Sequence, residues 1–362
     1  MLTLVTVIYG DNRRYLVELY GSVLSILQQR GSSDTHVVVY TDRPLTDFPL
    51  PITQRIITPD EWNNWTRGSA VTHLVKLHIV GKTLKEFSGP VIYFDTDTLF
   101  REAPETLAAR LSKDTSIMHA DEGAIQHHDV WSNIVRWLGD GRYVAGAKIT
   151  GGSVMYNSGI VGVVPEHADA LEKSVSMAEE LFGIDPIFSL DQFSTGVALS
   201  MQTTVLTCEA EVLHYWGWQR GFVRLAIDRF WAAHVDSSVA ELCREFDPLT
   251  LSASPGISWL DKIKVKLTMV WLRLDRSTEF SLLTLESALR AASEDKEIAN
   301  IWFNVHLQML RTDAKASISE KLLQQLEYKH AACADWLDAD NRQAVVELQS
   351  TISATRDGHH LV

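Results

Sequence analysis

Two hydrophobic periods alternate through the first two thirds of the chain, and only one continues through the last third. Residues 2–9 form a short apolar run that reads as a first strand, and residues 13–29 repeat apolar positions at helical spacing before the turn signal Gly31-Ser32-Ser33. Val37-Val38-Val39-Tyr40 has the continuous apolar character of a buried strand. A connection rich in proline (Pro44, Pro49, Pro51) leads to a strand over 52–57 and a Trp-bearing loop. A helix over about 69–87 and the strand Val91-Ile92-Tyr93-Phe94 follow. Strand–helix alternation of this kind predicts an α/β fold with a mostly parallel central sheet. Ligands of such sheets sit at the carboxyl ends of the strands, which directs attention to Gly10, Asp11 and Asp95. From about residue 236 the pattern is helical only, with apolar positions three and four apart through 282–289, 301–310 and 318–326. No fixed-period repeat is present. The expected organisation is residues 1–235 as the unit carrying the chemistry and 236–362 as an all-helical C-terminal extension.

Composition narrows the function classes. With 33 Lys and Arg against 46 Asp and Glu, the formal net charge is −13, and 46% hydrophobic against 22% charged residues is the profile of a globular chain rather than a disordered one. An acidic balance argues against a general nucleic-acid binder, whose affinity comes from clustered basic residues. Cys208, Cys243 and Cys333 are far apart and form no C-x-x-C, so neither a structural zinc site nor a disulfide framework is encoded; a reducing, cytoplasmic compartment fits. The N-terminus lacks a basic segment and reaches Asp11 before a signal-length apolar run can build. The weakly charged stretches near 149–164 and 192–208 are interrupted by Gly, Ser, Asn, Gln and Thr, and no membrane span is expected.

The chemistry concentrates after the fourth predicted strand, in Asp95-Thr96-Asp97. In extended backbone, side chains two apart share a face, so the two carboxylates are expected to converge. Together they would repel unless a cation lay between them, and oxygen ligands favour Mg²⁺ or Mn²⁺ over zinc. Two solvated acids at a strand end is the plain alternative for an isolated D-x-D.

The order of further motifs extends this. Val5-Thr6-Val7-Ile8-Tyr9-Gly10-Asp11-Asn12 with Tyr15, Lys76-Leu77-His78, Asp95-Thr96-Asp97, Asn157-Ser158-Gly159, Leu190-Asp191-Gln192 and His214-Tyr215-Trp216-Gly217 occur in that sequence. Over about residues 3–220 the chain resembles the GT-A fold glycosyltransferases, in particular the retaining, glycogenin-like and lipopolysaccharide-galactosyltransferase-like group. The resemblance implies that Asp95, Asp97 and His214 ligate Mn²⁺ or Mg²⁺, and that Tyr9, Asp11 and Tyr15 contact the base or ribose of a nucleotide-diphosphate sugar, with a UDP-sugar the expected donor. It implies that Lys76 reaches the donor's phosphates or hydroxyls. It further implies that Gly159 lets the backbone pass close to the donor sugar, that Asn157 supplies polar contacts, and that Asp191 and Gln192 lie near the anomeric carbon. The K-P-W that usually follows Gly217 is absent; Gln219-Arg220 stands there, with Arg220 the candidate substitute at the diphosphate.

Glycosyl transfer with retention, building a surface polysaccharide or lipopolysaccharide-type glycan on a glycan, lipid-linked or protein acceptor, is the activity so implied. Two alternatives stand beside it. Haloacid-dehalogenase phosphatases also use an apolar strand followed by D-x-D, but Leu99 occupies the fifth position here and about 90 residues precede the strand. A catalytically silent sugar-nucleotide-binding module, with the helical tail recruiting a partner or a second copy, is the other. Trp62, Trp65, Trp216 and Trp218 are candidate stacking platforms for an acceptor sugar, or core residues. His119, Asp121, His127, His128 and Asp129 lack a tight ligand spacing and read as a polar loop near the acceptor rather than a metal cluster. Residues 259–276 carry five basic and two acidic residues, and as a helix Leu260, Ile263, Leu267, Val270, Trp271 and Leu274 share a face. Such a helix packs on its own domain or lies on an anionic membrane, which here would be the inner membrane surface.

Overall fold

The structure, a computed structural model, describes residues 1–31, 34–46, 48–68, 72–187, 189–253, 255–272, 274, 278–313 and 320–356. The predicted turn at Ser32 and Ser33, the helix start at Ser69, the basic residues Arg273 and Arg276, and Ile318 lie outside the described residues. The chain forms two compact units, Met1–Arg220 with Ala226–Ser252, and Gly221–Leu225 with Ala253–Val362.

Among the described residues, eleven strands belong to the first unit: β1 (Leu2–Ile8), β2 (Thr35–Thr41), β3 (Thr53–Ile56), β4 (Val91–Phe94), β5 (Thr98–Phe100), β6 (Thr115–Ala124), β7 (Arg142–Val144), β8 (Ala147–Ile149), β9 (Val154–Val163), β10 (Thr204–Thr207) and β11 (Val212–His214). Seven make one sheet in the order β10-β6-β9-β4-β1-β2-β3, parallel at every pairing except those of β9, which runs antiparallel to both β4 and β6. The mostly parallel α/β architecture expected from the periodicity is therefore the one adopted. The continuous apolar runs make sense because β1, β2 and β4 are buried on both faces.

The helices of this unit are α1 (Arg13–Gln29), α2 (Pro59–Thr66), α3 (Leu74–Glu86), α4 (Pro104–Ala108), α5 (Ser132–Leu138), α6 (Ala168–Phe182) and α7 (Leu190–Ser200). They continue into α8 (Arg220–Ala233), of which residues 221–225 belong to the second unit, α9 (Val239–Glu245) and α10 (Pro248–Leu251). The chain leaves β1 toward β2 and returns from β3 to β4, so right-handed crossovers set α1 and α3 on opposite faces of the sheet. Val75, Ile79 and Val80 of α3, Leu171 of α6 and Leu199 of α7 share one core cluster with Val5, Tyr93 and Val161 of the sheet.

Two local expectations change. The Trp-bearing segment is a helix, α2, because Thr58 and Glu61 form a reciprocal capping box and Pro59 takes the first turn, where its missing N–H costs nothing. Helix α3 begins at Leu74, five residues later than the periodicity suggested.

From residue 236 on, every described element is helical, as expected. The second unit holds α11 (Trp259–Leu272), α12 (Glu279–Ala291), α13 (Lys296–Asp313), α14 (Glu320–Cys333) and α15 (Ala339–Arg356).

Candidate functional site

Strand β4 stops at Phe94 and β5 starts at Thr98, so Asp95-Thr96-Asp97 is a turn, not the extended segment that the spacing suggested. The backbone folds there because the Asp95 N–H still donates to Gly159 of β9 at 2.8 Å, while the Thr98 hydroxyl donates back to the Asp95 carbonyl at 2.7 Å. The Ser22 hydroxyl of α1 lies 2.6 Å from the carbonyls of both Thr96 and Thr98 and holds the turn from the other side. The two carboxylates converge through this turn rather than through strand alternation.

The turn also delivers the histidine. Strands β5 and β11 pair antiparallel with His214 opposite Thr98, and the Tyr215 N–H donates to the Asp97 carbonyl at 3.0 Å. His214 Nε2 therefore sits 3.2 Å from Asp97 Oδ1 and 3.9 Å from Asp95 Oδ2. Ligand atoms of Asp95, Asp97 and His214 all lie within 4.8 Å of one another, and among the described residues this is the one such His/Cys/Asp/Glu group.

The imidazole's tautomer follows from its neighbours. The Asn157 side chain donates through Nδ2 to Glu122 at 2.8 Å, so its Oδ1 is an acceptor, receiving the Gly159 N–H and lying 2.9 Å from His214 Nδ1. Nδ1 must then be the donor, which leaves Nε2 with a lone pair aimed at two carboxylates. Three acceptors facing one point require a cation among them, a proton on Nε2 or a metal. The donor set of two carboxylates and one imidazole, with the outer nitrogen anchored, fits a divalent ion. Burial works against an ionised Asp97, but with the proton on Nε2 the hydrogen bond and charge of His214, together with the charge of Arg220, outweigh it and hold the carboxyl at about 2.

Cations already brace the acids. Lys76, on α3, is largely buried and not the solvated surface lysine that is commonest on a helix; its Nζ lies 3.1 Å from Asp95, 3.8 Å from Asp191 and 3.0 Å from the Ser158 hydroxyl. Burial works against its charge, yet the attraction of Asp95 and Asp191 keeps its pKa raised. Burial pushes the Asp191 carboxyl up, with Lys76 opposing. The Tyr93 hydroxyl donates to Asp95 at 2.7 Å. Arg220 grips the fully buried Glu18 through two bonds of 2.7 Å and reaches Asp97 Oδ2 at 3.2 Å. Burial disfavours this guanidinium's charge, but Glu18 and Asp97 raise its pKa further.

These groups line one cavity of about 700 Å³ at the carboxyl ends of β1 and β4. Of the residues singled out in the sequence, Tyr9, Tyr15, Lys76, Asp95, Asp97, Asn157, Asp191, Gln192, His214, Gly217 and Arg220 line it. Asp11 and Gly159 are not in its wall. Asp11 sits on the exposed turn before α1, where Asn12 is the cap. Gly159 has its close approach to His214 instead: a Cβ there would stand 2.3 Å from Nδ1. Gly217 adopts φ +81°, a left-handed conformation natural to glycine. Trp216 is 60% exposed and lines the cavity, while Trp62 packs on Tyr9 and Trp65 stacks on His78.

Sequence reasoning passed over Glu122, Tyr93 and Glu18. Glu122 accepts from Asn157 and from Gln192, each at 2.8 Å, and so ties the two together. Tyr93 was recoverable, being on β4 two residues before Asp95. The five-residue polar group is divided, with His119 and Asp121 on β6 and His127, His128 and Asp129 in the short turns that follow. His119 is buried against the Val212 carbonyl at 2.9 Å; burial, with that bond opposing, pushes its pKa down to about 4.

No family model matches the chain, and no curated protein matches it. Among solved structures it is similar to apo mouse xyloside xylosyltransferase 1, with 11% sequence identity and a TM-score of 0.39 over 57% of this chain and 84% of that one.

Proposed function

We propose that the chain is a metal-dependent glycosyltransferase that moves a hexosyl group from a nucleotide-diphosphate sugar to a glycan, lipid-linked or protein acceptor with retention of configuration. The observation that carries this reading is the meeting of Asp95, Asp97 and the lone pair of His214 on the wall of a cavity large enough for such a donor. A divalent ion held by these three would neutralise the diphosphate and act as a Lewis acid on the leaving group.

The remaining roles belong to the chain's own side chains. Tyr9 and Tyr15 offer aromatic faces for the base at the cavity end near β1. Arg220, fixed by Glu18, keeps an oriented positive charge beside Asp97, where the diphosphate's charge would grow as the anomeric bond breaks. Asp191 and Gln192 supply a carboxylate and an amide for the electron-poor anomeric carbon. Lys76 offsets the charge on Asp191, and Glu122 locks the Gln192 amide. Attack by an acceptor hydroxyl on the face the diphosphate leaves retains configuration, the hydroxyl's proton passing to the departing diphosphate oxygen.

The test is a thermal-shift panel of nucleotide diphosphates and their sugars, with and without Mn²⁺. A ligand at one hundred times its Kd stabilises the native state by about 2.7 kcal/mol. Wild type should shift only when Mn²⁺ and the cognate nucleotide are both present, and Asp97→Asn should lose the Mn²⁺ dependence while melting cooperatively. No shift with any nucleotide, or an equal shift in the variant, would remove the acid pair from the function.

A further inference from the structure

Helix α11, far along the chain from the cavity residues, has two unlike sides. Asp261, Val265 and Leu272 are buried, and Asp261 pairs with Arg290 of α12 at 2.9 Å. At about 100° per residue these three project to one side. The opposite arc carries Trp259, Leu260, Ile263, Leu267, Val270 and Trp271, exposed by between 44% and 79%. Of the face anticipated from the sequence, Leu260, Ile263, Leu267, Val270 and Trp271 lie on the helix, which ends before Leu274, and they point outward rather than into their own unit.

The arc is edged by charge of one sign. Lys262 and Lys266 border it on one side and Lys264 on the other, all exposed. Lys264 lies 3.7 Å from Glu286, whose carboxylate is in closer contact with Lys329, and it remains 64% exposed. The helix's one acid, Asp261, is on the buried side. Six contiguous outward apolar side chains, two of them tryptophans at the ends of the helix, exceed the scattered apolar residues of an ordinary surface. Fourteen residues span about 21 Å, and no described helix is long and apolar enough to cross a membrane.

We propose that α11 is an interfacial anchor that lays the chain on an anionic lipid bilayer. The apolar arc enters the boundary between headgroups and acyl chains, and the three lysines meet lipid phosphates. Charge decides between occupants. A second copy docking by the same face would set lysine rims against lysine rims, whereas an anionic surface complements them and offsets the repulsion expected of a chain with net charge −13. The inference does not depend on the nucleotide-sugar reading, because vesicle binding needs no donor.

The experiment is co-sedimentation of the full chain with phosphatidylcholine vesicles, alone or containing one third phosphatidylglycerol. Wild type should pellet with the anionic vesicles, release as salt rises, and stay in solution with phosphatidylcholine alone. Leu267→Glu with Val270→Glu, and separately Lys262→Glu with Lys266→Glu, should each weaken binding at least about tenfold with unchanged circular dichroism and melting, since all four side chains are exposed. Wild type remaining in the supernatant, or either pair binding as well as wild type, would overturn the proposal. So would a concentration-dependent dimer in light scattering that the Leu267→Glu/Val270→Glu pair abolishes, which would give the face to a second copy.

Discussion

His214 can present a lone pair to Asp95 and Asp97 only while Asn157 receives its other nitrogen, and only while position 159 has no side chain. Gly159→Ala places a methyl carbon 2.3 Å from Nδ1, so the ring must rotate away. The expected result is loss of Mn²⁺-dependent nucleotide stabilisation with the secondary structure intact; a preserved metal effect in the thermal-shift assay would detach Gly159 from the site. Glu18 makes a second prediction at this scale. It is fully buried and its carboxylate is spanned by Arg220, so Glu18→Ala leaves a guanidinium beside Asp97 with half its compensation. Removing one partner of such a pair costs about 3 kcal/mol, readable in urea denaturation. Asp95, Asp97 and His214 were legible because their residue types and order carry chemistry by themselves. Glu122 was not: two register shifts between β6 and β9 carry it beside Asn157, and a bulge leaves no trace in hydrophobic alternation. Glu18 was hidden similarly, as an acid within an amphipathic helix pattern whose partner lies about two hundred residues away.

At the scale of elements, periodicity recovered α1 at its observed bounds and β4 entirely, because each is long or apolar enough for one period to dominate. Spacing took 95–97 as extended backbone and 58–66 as loop, since hydroxyl-to-backbone bonds and a capping box decide those places and neither is periodic. The helices of the second unit hold a device that periodicity also cannot show. His306 of α13 donates from Nδ1 to the Ser281 carbonyl of α12 at 2.8 Å, so its Nε2 accepts from His330 of α14 at 2.9 Å. A proton added to His306 would set N–H against N–H at that contact, whereas His330 would take its further proton on Nδ1, as a charge in a buried place. Burial pushes His306 down to about 3, with the charge of His330 adding to it, and pushes His330 down to about 4. Both folded-state values lie below the unfolded value of about 6.5, so the unfolded chain binds more protons between them. Stability from this contact is therefore full above about pH 6.5 and falls as the pH drops toward 4. His330→Gln keeps an N–H for His306 and removes one titrating group. Its unfolding free energy should fall more shallowly over that window, by about one proton's slope, in denaturant titrations at stepped pH. An unchanged slope would mean that His330 does not carry the acid sensitivity.

For the whole molecule, the notable fact is that neither compact unit is a single stretch of chain. The helix-only pattern from about residue 236 reports secondary structure, while membership of a core is a matter of which side chains meet, and five residues of α8 belong with the later unit. Phe222 is almost fully buried with its ring centroid 4.7 Å from that of Trp302, and a Cβ on Gly221 would come within 2.8 Å of Ile301. Sequence alone could not show this, because residues 221–225 continue the apolar spacing of α8 whichever core receives them. The arrangement predicts how the chain responds to cutting. A fragment ending at Ser252 retains α8 but deprives Phe222 of Trp302, and an aromatic side chain bared in this way invites association. That fragment should bind a hydrophobic dye and self-associate, and Phe222→Ser should restore a monodisperse species. In the intact chain, Trp302→Ala removes the same contact from the other side and should cost about 3–5 kcal/mol. A fragment that is monomeric, dye-silent and as stable as the first transition of the full chain would show that residues 221–225 need no partner from 253–362, and the two units would then be separable at a single bond.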